Sequence, residues 1–522
     1  MKNDIHIVKR LESIKISLEL GDLDIVKYQA LKLEDYSNTE LQKISDLLKS
    51  DMLDIDQIIN LINSYLYKPK VDRLTQHQQE IFEKIIGEFK TILDNKSKEI
   101  TSKTNFVSLS GSAGVGKTFV SSKLIEYFVK KMEYKILLTA PTHKSLAVAK
   151  SMLNSINLNI PTKTVQSYLD IKLFTDYIKG TKKFVRDKID LQADYEKDLD
   201  ILVVDESSMI SNELLMFIEE NLEQNKLKSV LFIGDPYQLP PVDEQPNAVR
   251  HLPKTFELTE IVRQAKDSYI KTIANELKDC IKHKKFIPIM EIFDINKYPK
   301  MEFFYELEDM YDDFVTPDKW YRDNIVLSYT NRNVDEYNRE LRKRYWLQND
   351  IYPDEPIIEG ELLVFNESYK TEIYNSEVLK VIKVERKEDK FVILKDDSDN
   401  STEPLKYFNC LSSDGRNFKT VDPDYYKLFS IYLGNLSLEA KTEKEKEKRK
   451  ALWKRFFILK EEYADLKYIH ASTIHKSQGS TYKNVYLDLS TLIKLSDEEK
   501  ELAYRLMYVA VTRASENIKI IL

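Results

Sequence analysis

Residues Ser110-Gly111-Ser112-Ala113-Gly114-Val115-Gly116-Lys117-Thr118 follow directly on an apolar run, Phe106-Val107-Ser108-Leu109, that reads as a buried strand. Together they form the strand–GxxxxGK[ST]–helix pattern of a phosphate-binding loop. Gly111, Gly114 and Gly116 let the backbone turn back, so that N–H groups across Ser112, Ala113 and Val115 point at phosphate oxygens. Lys117 is placed to reach the β- and γ-phosphates, and the Thr118 hydroxyl to sit on Mg²⁺. The helix that follows adds a partial positive charge at its N-terminus. A glycine-rich hairpin would not need the terminal Lys-Thr. The expected ligand is a nucleoside triphosphate with its metal ion.

The chain of 522 residues is too long for one core, and several domains are expected. A hydrophobic content of 42% with 32% charged residues describes a soluble globular protein. No apolar run approaches the ~20 residues that span a bilayer. Met1-Lys2-Asn3-Asp4 lacks the apolar stretch of a signal peptide, so a cytoplasmic location is expected, bacterial or in the host of a phage. Cys280 and Cys410 lie far apart, which indicates neither a disulfide scaffold nor a zinc site. The net charge of −7 gives no basic whole-chain footprint, although an acidic enzyme can carry a locally positive channel.

Residues 1–70 have apolar positions at helical spacing, as in Ile55, Ile58, Ile59, Ile62 and Leu66, with Asp51 or Asp54 as a cap. From Leu74 onward, short apolar strands alternate with helical segments: Phe106–Leu109, Lys135–Thr139, Ile201–Val204 and Val230–Ile233. The pattern returns at Ile325–Ser328 and Asn484–Leu489. This predicts α/β units, each with a parallel sheet covered on both faces. Between the last two strands, 361–365, 377–384 and 391–394 read as short antiparallel strands, a small inserted barrel. Tyr374-Asn375-Ser376-Glu377-Val378 stands where an Asn-Gly turn is expected. The charge run Lys441–Lys450 reads as a solvated helix.

Ile201-Leu202-Val203-Val204-Asp205-Glu206 is a strand ending in two acids. A strand end places Asp205 beside the phosphate loop to hold Mg²⁺ through Thr118 and water, and Glu206 to polarise the attacking water. An apolar strand running into an acidic surface turn is common, and the loop upstream is what gives this one weight. Val230 to Val242 is more discriminating. A buried strand leads into Gly234-Asp235-Pro236-Tyr237-Gln238-Leu239-Pro240-Pro241, a proline-held turn that fixes Asp235 and Gln238 near a γ-phosphate.

With these segments the chain resembles superfamily 1 helicases, specifically the RecD-like/Dda group. The Leu-Pro-Pro ending is unusual in the neighbouring Rep-like and UvrD-like branch. The resemblance covers residues 71–522. Leu74-Thr75-Gln76-His77-Gln78 matches the segment whose last Gln, here Gln78, reads the adenine edge of ATP. Ala140-Pro141-Thr142-His143 matches a motif that touches the DNA backbone, which implies Thr142 and His143 as contacts. Leu258 to Gln264 matches the segment whose arginine, Arg263, faces the triphosphate. Ser328-Tyr329-Thr330-Asn331 opens the second unit. His470 to Ser480 matches the segment that contacts DNA through Thr473 and His475 and senses nucleotide through Gln478 and Gly479. Leu506 to Ala514 matches the last motif, whose Arg513 completes the site. Arg263 and Arg513, expected on the second unit, would act as arginine fingers. Thr164-Val165-Gln166 departs from the family's Thr-Ile-His.

The resemblance implies two RecA-like parallel-sheet domains, an inserted pin, an inserted SH3-like β-barrel and an α-helical N-terminal extension. The expected divisions are 1–70, 71–262 with a pin at about 170–197, 263–345, 346–465 and 466–522. It also implies ATP and Mg²⁺ as cofactors, single-stranded DNA and single/double-strand junctions as substrates, and 5′→3′ movement. Residues 1–70 would be the place for a single-strand-binding or replication/recombination partner. A pin needs an apolar or aromatic tip, and residues 170–197 offer Phe174, Tyr177, Ile178, Phe184 and Val185. Packing of those aromatics within a surface hairpin is an equal reading. The alternatives are a translocase or RNA-directed helicase with the same motor, and a nucleotide-dependent switch. Against the switch, a pure binder needs no water-positioning Glu206 and no arginine fingers.

Overall fold

The structure is a computed structural model that describes residues 11, 14, 18, 39–48, 58, 62, 74–94, 102–186, 198–224, 226–240, 252–260, 269–316, 323–348, 350–370, 372–396 and 401–522. Near the N-terminus, α1 (Thr39–Leu48) is a helix. Ile58 and Ile62 are helical and buried, whereas Ile55, Ile59, Leu66 and the candidate caps lie outside the described residues.

Contacts divide the chain into two compact units. One takes in Met1–Leu169, Asp190–Pro236 and Pro240–Arg263. The other takes in Asp170–Ile189, Tyr237–Leu239 and Gln264–Leu522. In the first, α2 (Gln76–Asp94) buries Ile81, Ile85, Ile86 and Phe89, an apolar stripe at spacings of three and four. The chain continues through β1 (Phe106–Gly111), α3 (Lys117–Met132), β2 (Ile136–Ala140), α4 (His143–Ser155) and β3 (Thr162–Thr164). A hairpin of β4 (Ile171–Asp176) and β5 (Thr181–Arg186) follows. Then come β6 (Leu199–Val204), α5 (Asn212–Glu223), β7 (Leu227–Gly234) and β8 (Thr255–Leu258). The six-stranded sheet has the order β3-β2-β6-β7-β1-β8, and every pairing is parallel. All of β1 and β2 is buried, because helices cover both faces; hence these strands read as unbroken apolar runs. Phe106 meets Phe232 edge-on at 5.1 Å across neighbouring strands.

The second unit contains α6 (Tyr269–His283), β9 (Glu302–Phe304), α7 (Leu307–Phe314), β10 (Asn324–Ser328) and α8 (Asn331–Gln348). The inserted segment follows with β11 (Leu362–Phe365), β12 (Val378–Asp396), β13 (Ser401–Ser412), β14 (Asn417–Val421), α9 (Tyr426–Thr442), α10 (Lys446–Glu462) and β15 (Leu466–Tyr468). The unit closes with β16 (Ala471–Thr473), β17 (Tyr482–Asp488), α11 (Leu489–Glu498), α12 (Lys500–Arg513) and β18 (Ala514–Ile521). Its parallel sheet, β16-β10-β17-β18-β9, has Leu277, Leu327 and Met507 in the core on one side and Met310, Phe314 and Val326 in that on the other.

The insertion is an antiparallel sheet, β14-β13-β12-β11-β15. Two strands expected at 377–384 and 391–394 are one 19-residue strand, β12, whose register shifts at Val381/Lys383 and Asp389/Ile393. Bulges bend a strand without ending it, so the charged 385–390 stretch stays paired. The turn before β12 closes without Asn-Gly: Ser376 takes φ 64° and its N–H donates to Phe365 O at 2.8 Å. The charge run 441–450 is not one helix. The chain breaks between Thr442 and Lys446, and α9 and α10 pack together as a helical hairpin, with Arg455 donating to the Tyr432 hydroxyl at 2.7 Å. The insertion is anchored by a buried fork: Arg342 of α8 donates to both carboxylate oxygens of Glu361, at 2.5 and 3.0 Å.

Candidate functional site

The phosphate loop runs from the C-terminal end of β1 into α3. Gly116 stands at φ 83° immediately before the helix, a left-handed conformation that glycine adopts without a Cβ clash. The Lys117 ammonium donates to the carbonyls of Gly111 (2.7 Å) and Ser112 (2.9 Å) and lies 3.9 Å from Asp235 Oδ2. Strand order explains this: β1 and β7 are neighbours, so the loops leaving their C-terminal ends meet. On the other side of β7, β6 delivers Asp205 and Glu206 to the same edge. The Glu206 N–H donates to Asp205 Oδ1 at 2.9 Å, and burial together with the Glu206 charge pushes the Asp205 carboxyl above its ordinary range. Glu206 itself sits at φ 49°, ψ 42°, a left-handed backbone strained for a side chain of this size.

Gln78 is buried against the loop. Its Nε2 donates to Val115 O at 3.1 Å, and its Oε1 accepts from the Thr75 N–H. Around it, Thr75 donates to Glu260, and the Thr259 N–H meets the His77 ring. Gly111 carries β8 close by, since a Cβ on it would stand 2.8 Å from Leu258 O. Gly114 also has a positive φ. Ala113 and Thr118 are half-buried in the same loop. Thr118 and Asp205 offer hydroxyl and carboxylate oxygens. That hard-donor set fits Mg²⁺, which keeps waters and takes phosphate oxygens to fill its shell.

Thr142 caps α4, its hydroxyl accepting from the Ser145 N–H at 3.1 Å, and His143 is exposed at the first helical position. Thr164, in the departing Thr-Val-Gln segment, is likewise a cap, accepting from the Ser167 N–H. Arg263 lies outside the described residues.

Within the second unit, β16 and β10 end side by side, and the Ile474 N–H donates to Ser328 O. Thr473 is buried, with its hydroxyl accepting from the Lys476 N–H. His475 is half-buried 6.4 Å from the Tyr329 ring, and burial lowers its pKa. Gly479 takes φ 74°. Gln478 Nε2 is a buried atom with no acceptor among the described residues. Arg513 ends α12 nearly buried, donating to Val509 O and Ser480 O. The same helix presents a residue that sequence reasoning missed. Arg505 donates to Gln238 O at 3.1 Å while holding Glu501, and Tyr508 packs its ring on Tyr237 at 6.3 Å. Its only signal in the sequence was its place two turns before Arg513 on one helix.

The β4–β5 hairpin sorts with the second unit although its sequence interrupts the first. Tyr177, in the turn, packs 6.0 Å edge-on to Phe457, within a cluster containing Trp453 and Ala440. Gly180 lies so close to Trp453 that a Cβ would stand 2.1 Å from its ring. The exposed apolar groups lie on the strands instead, Phe174 at 57% and Val185 at 44%.

Two joined observations define the class. The chain has a phosphate loop in one parallel-sheet unit and a second parallel-sheet unit whose helix α12 ends in the buried Arg513. A model of an AAA domain matches residues 96–285, and one of a UvrD-like helicase C-terminal domain matches residues 468–521. An uncharacterised protein of Acanthamoeba polyphaga mimivirus is 26% identical, over 78% of this chain and 94% of its own. The ATP-dependent DNA helicase Dda of Enterobacteria phage T4 is 24% identical, over 86% of this chain and 99% of its own. Among solved structures, Pif1 helicase from Candida albicans is 17% identical, with a TM-score of 0.45 over 86% of this chain and 94% of that one. Together these matches support a superfamily 1 helicase of the RecD-like, Dda and Pif1 kind.

Proposed function

We propose that this chain is an ATP-hydrolysing DNA helicase that moves 5′→3′ on single-stranded DNA and separates the duplex ahead of it. The observation that carries the reading is the convergence of Lys117, Asp235, Asp205 and Glu206 at the C-terminal edge of one parallel sheet. Such an edge serves phosphoryl transfer, where the protein's task is positioning and charge stabilisation. In this reading Lys117 and the loop N–H groups hold the triphosphate, Gln78 reads the adenine, and Glu206 orients the attacking water. Mg²⁺ held by Thr118 and Asp205 would neutralise charge on the phosphates. Gln238 senses the γ-phosphate, Gln478 and Gly479 sense the nucleotide, and Arg263 and Arg513 stabilise the transferring group. Thr142, His143, Thr473 and His475 take phosphate oxygens of the strand, which position it without reading its sequence. The antiparallel insertion stands for the SH3-like domain, residues 1–70 for a helical extension, and the β4–β5 hairpin for the wedge, through Phe174 and Val185. The domain divisions follow those of the family.

The decisive experiment is unwinding of duplexes with a 5′ or a 3′ single-stranded tail. Activity on the 5′-tailed substrate alone is expected, and unwinding only from a 3′ tail would overturn the polarity. Lys117→Ala should abolish hydrolysis. Glu206→Gln should bind ATP with turnover reduced by about 10²-fold or more, because only the water has lost its partner. Near wild-type turnover in Glu206→Gln with DNA present would remove Glu206 from its role.

A further inference from the structure

Helix α10 carries seven Lys and Arg against three Glu, in a chain whose net charge is −7. The acids are confined to its ends: from Lys448 to Lys460 there is no Asp or Glu. A merely solvated helix face would intersperse the two signs at spacings of three and four. The cations are also placed. Lys446, Arg449, Lys450 and Lys460 stand seven, four and three residues before Trp453 and seven after it, which sets them on the helix face that receives the hairpin. None of the four has an ion-pair partner among the described residues, and the Arg449 Nε is buried there without an acceptor. The hairpin seated on this face adds Lys179, exposed in its turn. Phe174 and Val185 are exposed on its two strands.

We infer that the Trp453 face of α10, together with the seated hairpin, is a docking surface for the phosphate backbone of duplex DNA. The inference rests on the helicase reading and names a contact beyond it. Charge complementarity selects a polyanion, and two features select a duplex over a single strand. Sites for single strands use exposed aromatic rings on which bases stack. Here the aromatics of the face, Trp453 and Phe457, are buried beneath the hairpin, which leaves charge alone. The row from Lys446 to Lys460 is also rigid and about 21 Å long at 1.5 Å per residue. A stiff double helix with one phosphate per ~1.7 Å of axis meets such a row at several points without paying to straighten a flexible strand. Duplex held here would enter beside Phe174 and Val185, where the proposed wedge stands.

The test is binding of the full chain to a blunt duplex of about 20 base pairs and to an oligothymidylate of the same length, across a salt series. The Lys446→Gln/Lys450→Gln/Lys460→Gln variant should lose about ten-fold or more in duplex affinity at low salt. Its log–log salt slope should fall by about two to three. Oligothymidylate binding and single-strand-stimulated ATPase should stay within about two-fold. A control with the same charge change elsewhere on the second unit, Lys300→Gln/Lys427→Gln/Lys494→Gln, should bind duplex as wild type does. Unchanged duplex affinity, parallel loss for both DNAs, or equal loss in the control would each overturn the inference. Absence of DNA-stimulated hydrolysis in the wild type would instead overturn the helicase reading, since the duplex-binding comparison needs no turnover.

Discussion

Arg505 acts at the scale of one side chain. One of its terminal nitrogens holds the carbonyl of Gln238, and the rest of the guanidinium is fixed by Glu501, so a phosphate-sensing candidate and Arg513 share the frame of α12. Arg505→Ala removes that hold without touching the phosphate loop. It should lower kcat for DNA-stimulated hydrolysis about ten-fold while the KM for ATP changes less than about three-fold, because the loss falls on transition-state alignment. Arg505→Lys, which can still reach the carbonyl, should recover part of it. Steady-state kinetics with thermal melting beside them separate this from simple unfolding; a parallel rise in KM and fall in melting temperature would make Arg505 structural. The loop glycine shows a different dependence. A Cβ at Gly116 would combine a left-handed φ with a 2.6 Å approach to Gln78 Nε2, so the conformation strains any side chain and Gln78 would have to shift.

The β4–β5 hairpin is the element that the interior of the structure redefines. A two-stranded hairpin alone is marginal in water, and this one is seated on α10 through Tyr177, Trp453 and Phe457. Gly180 permits the seating, with φ 65° and no Cβ to meet the indole ring. Gly180→Ala should therefore unseat the turn. Single-strand-stimulated ATPase should stay near wild type while duplex unwinding falls about ten-fold or more, and Trp453→Ala should do the same by removing the ring. A gel or fluorescence unwinding assay beside an ATPase assay checks both; equal loss of the two activities would mean that the hairpin supports the motor itself. The α9–α10 break has a similar origin. Helix propensity favours continuing through 441–450, but the apolar positions on either side bury only if the chain doubles back.

Over the whole molecule, buried polar junctions stand beside the apolar cores. The Arg342–Glu361 fork is almost entirely out of water, its guanidinium lies 4.8 Å over the Tyr468 ring, and Glu361 also accepts from the Ile358 N–H. Glu361→Ala would strand the arginine and should cost about 3–5 kcal/mol, read by chemical denaturation of the second unit. His470 is buried nearby, with Phe314 and Tyr345 against its ring, and its carbonyl accepts from the Val326 N–H of β10. Burial, helped by the Arg342 charge, lowers its pKa from 6.5 to about 4. The unfolded chain therefore takes up the proton first. The stability that His470 contributes is full above its unfolded value and declines as pH falls from 6.5 towards 4, by about 3 kcal/mol in all. Burial raises the Glu361 carboxyl, which acts in the opposite sense, so the comparison must be with a variant. Melting temperatures of wild type and His470→Leu between pH 7 and 4 should converge as the wild type loses its advantage; parallel curves would show that His470 does not titrate in this window.

Strands β1, β2, β6, β7, β10 and β17 were legible in the sequence because each is largely buried and so is written as an apolar run, whereas β3, β8, β9, β16 and β18, shorter or more polar, were not. Lys117, Asp205 and Asp235 belong to that writing: loop, acids and turn each follow a strand directly, and strand order brings them to one edge. The sequence also carried the antiparallel texture of the insertion, through its short β-branched segments. What it could not carry were the partners of residues whose local pattern is neutral. Trp453 and Phe457 at helical spacing could have packed on any neighbour, and the hairpin that covers them lies about 270 residues earlier in the chain. Nor does an arginine on a helix declare that it grips the Gln238 carbonyl, or a run of lysines that one face of it surrounds a seated aromatic. Local periodicity determines which face of an element is apolar; which surface covers that face, and which polar group meets a buried carbonyl or charge, is decided only when distant segments compete for the same buried space.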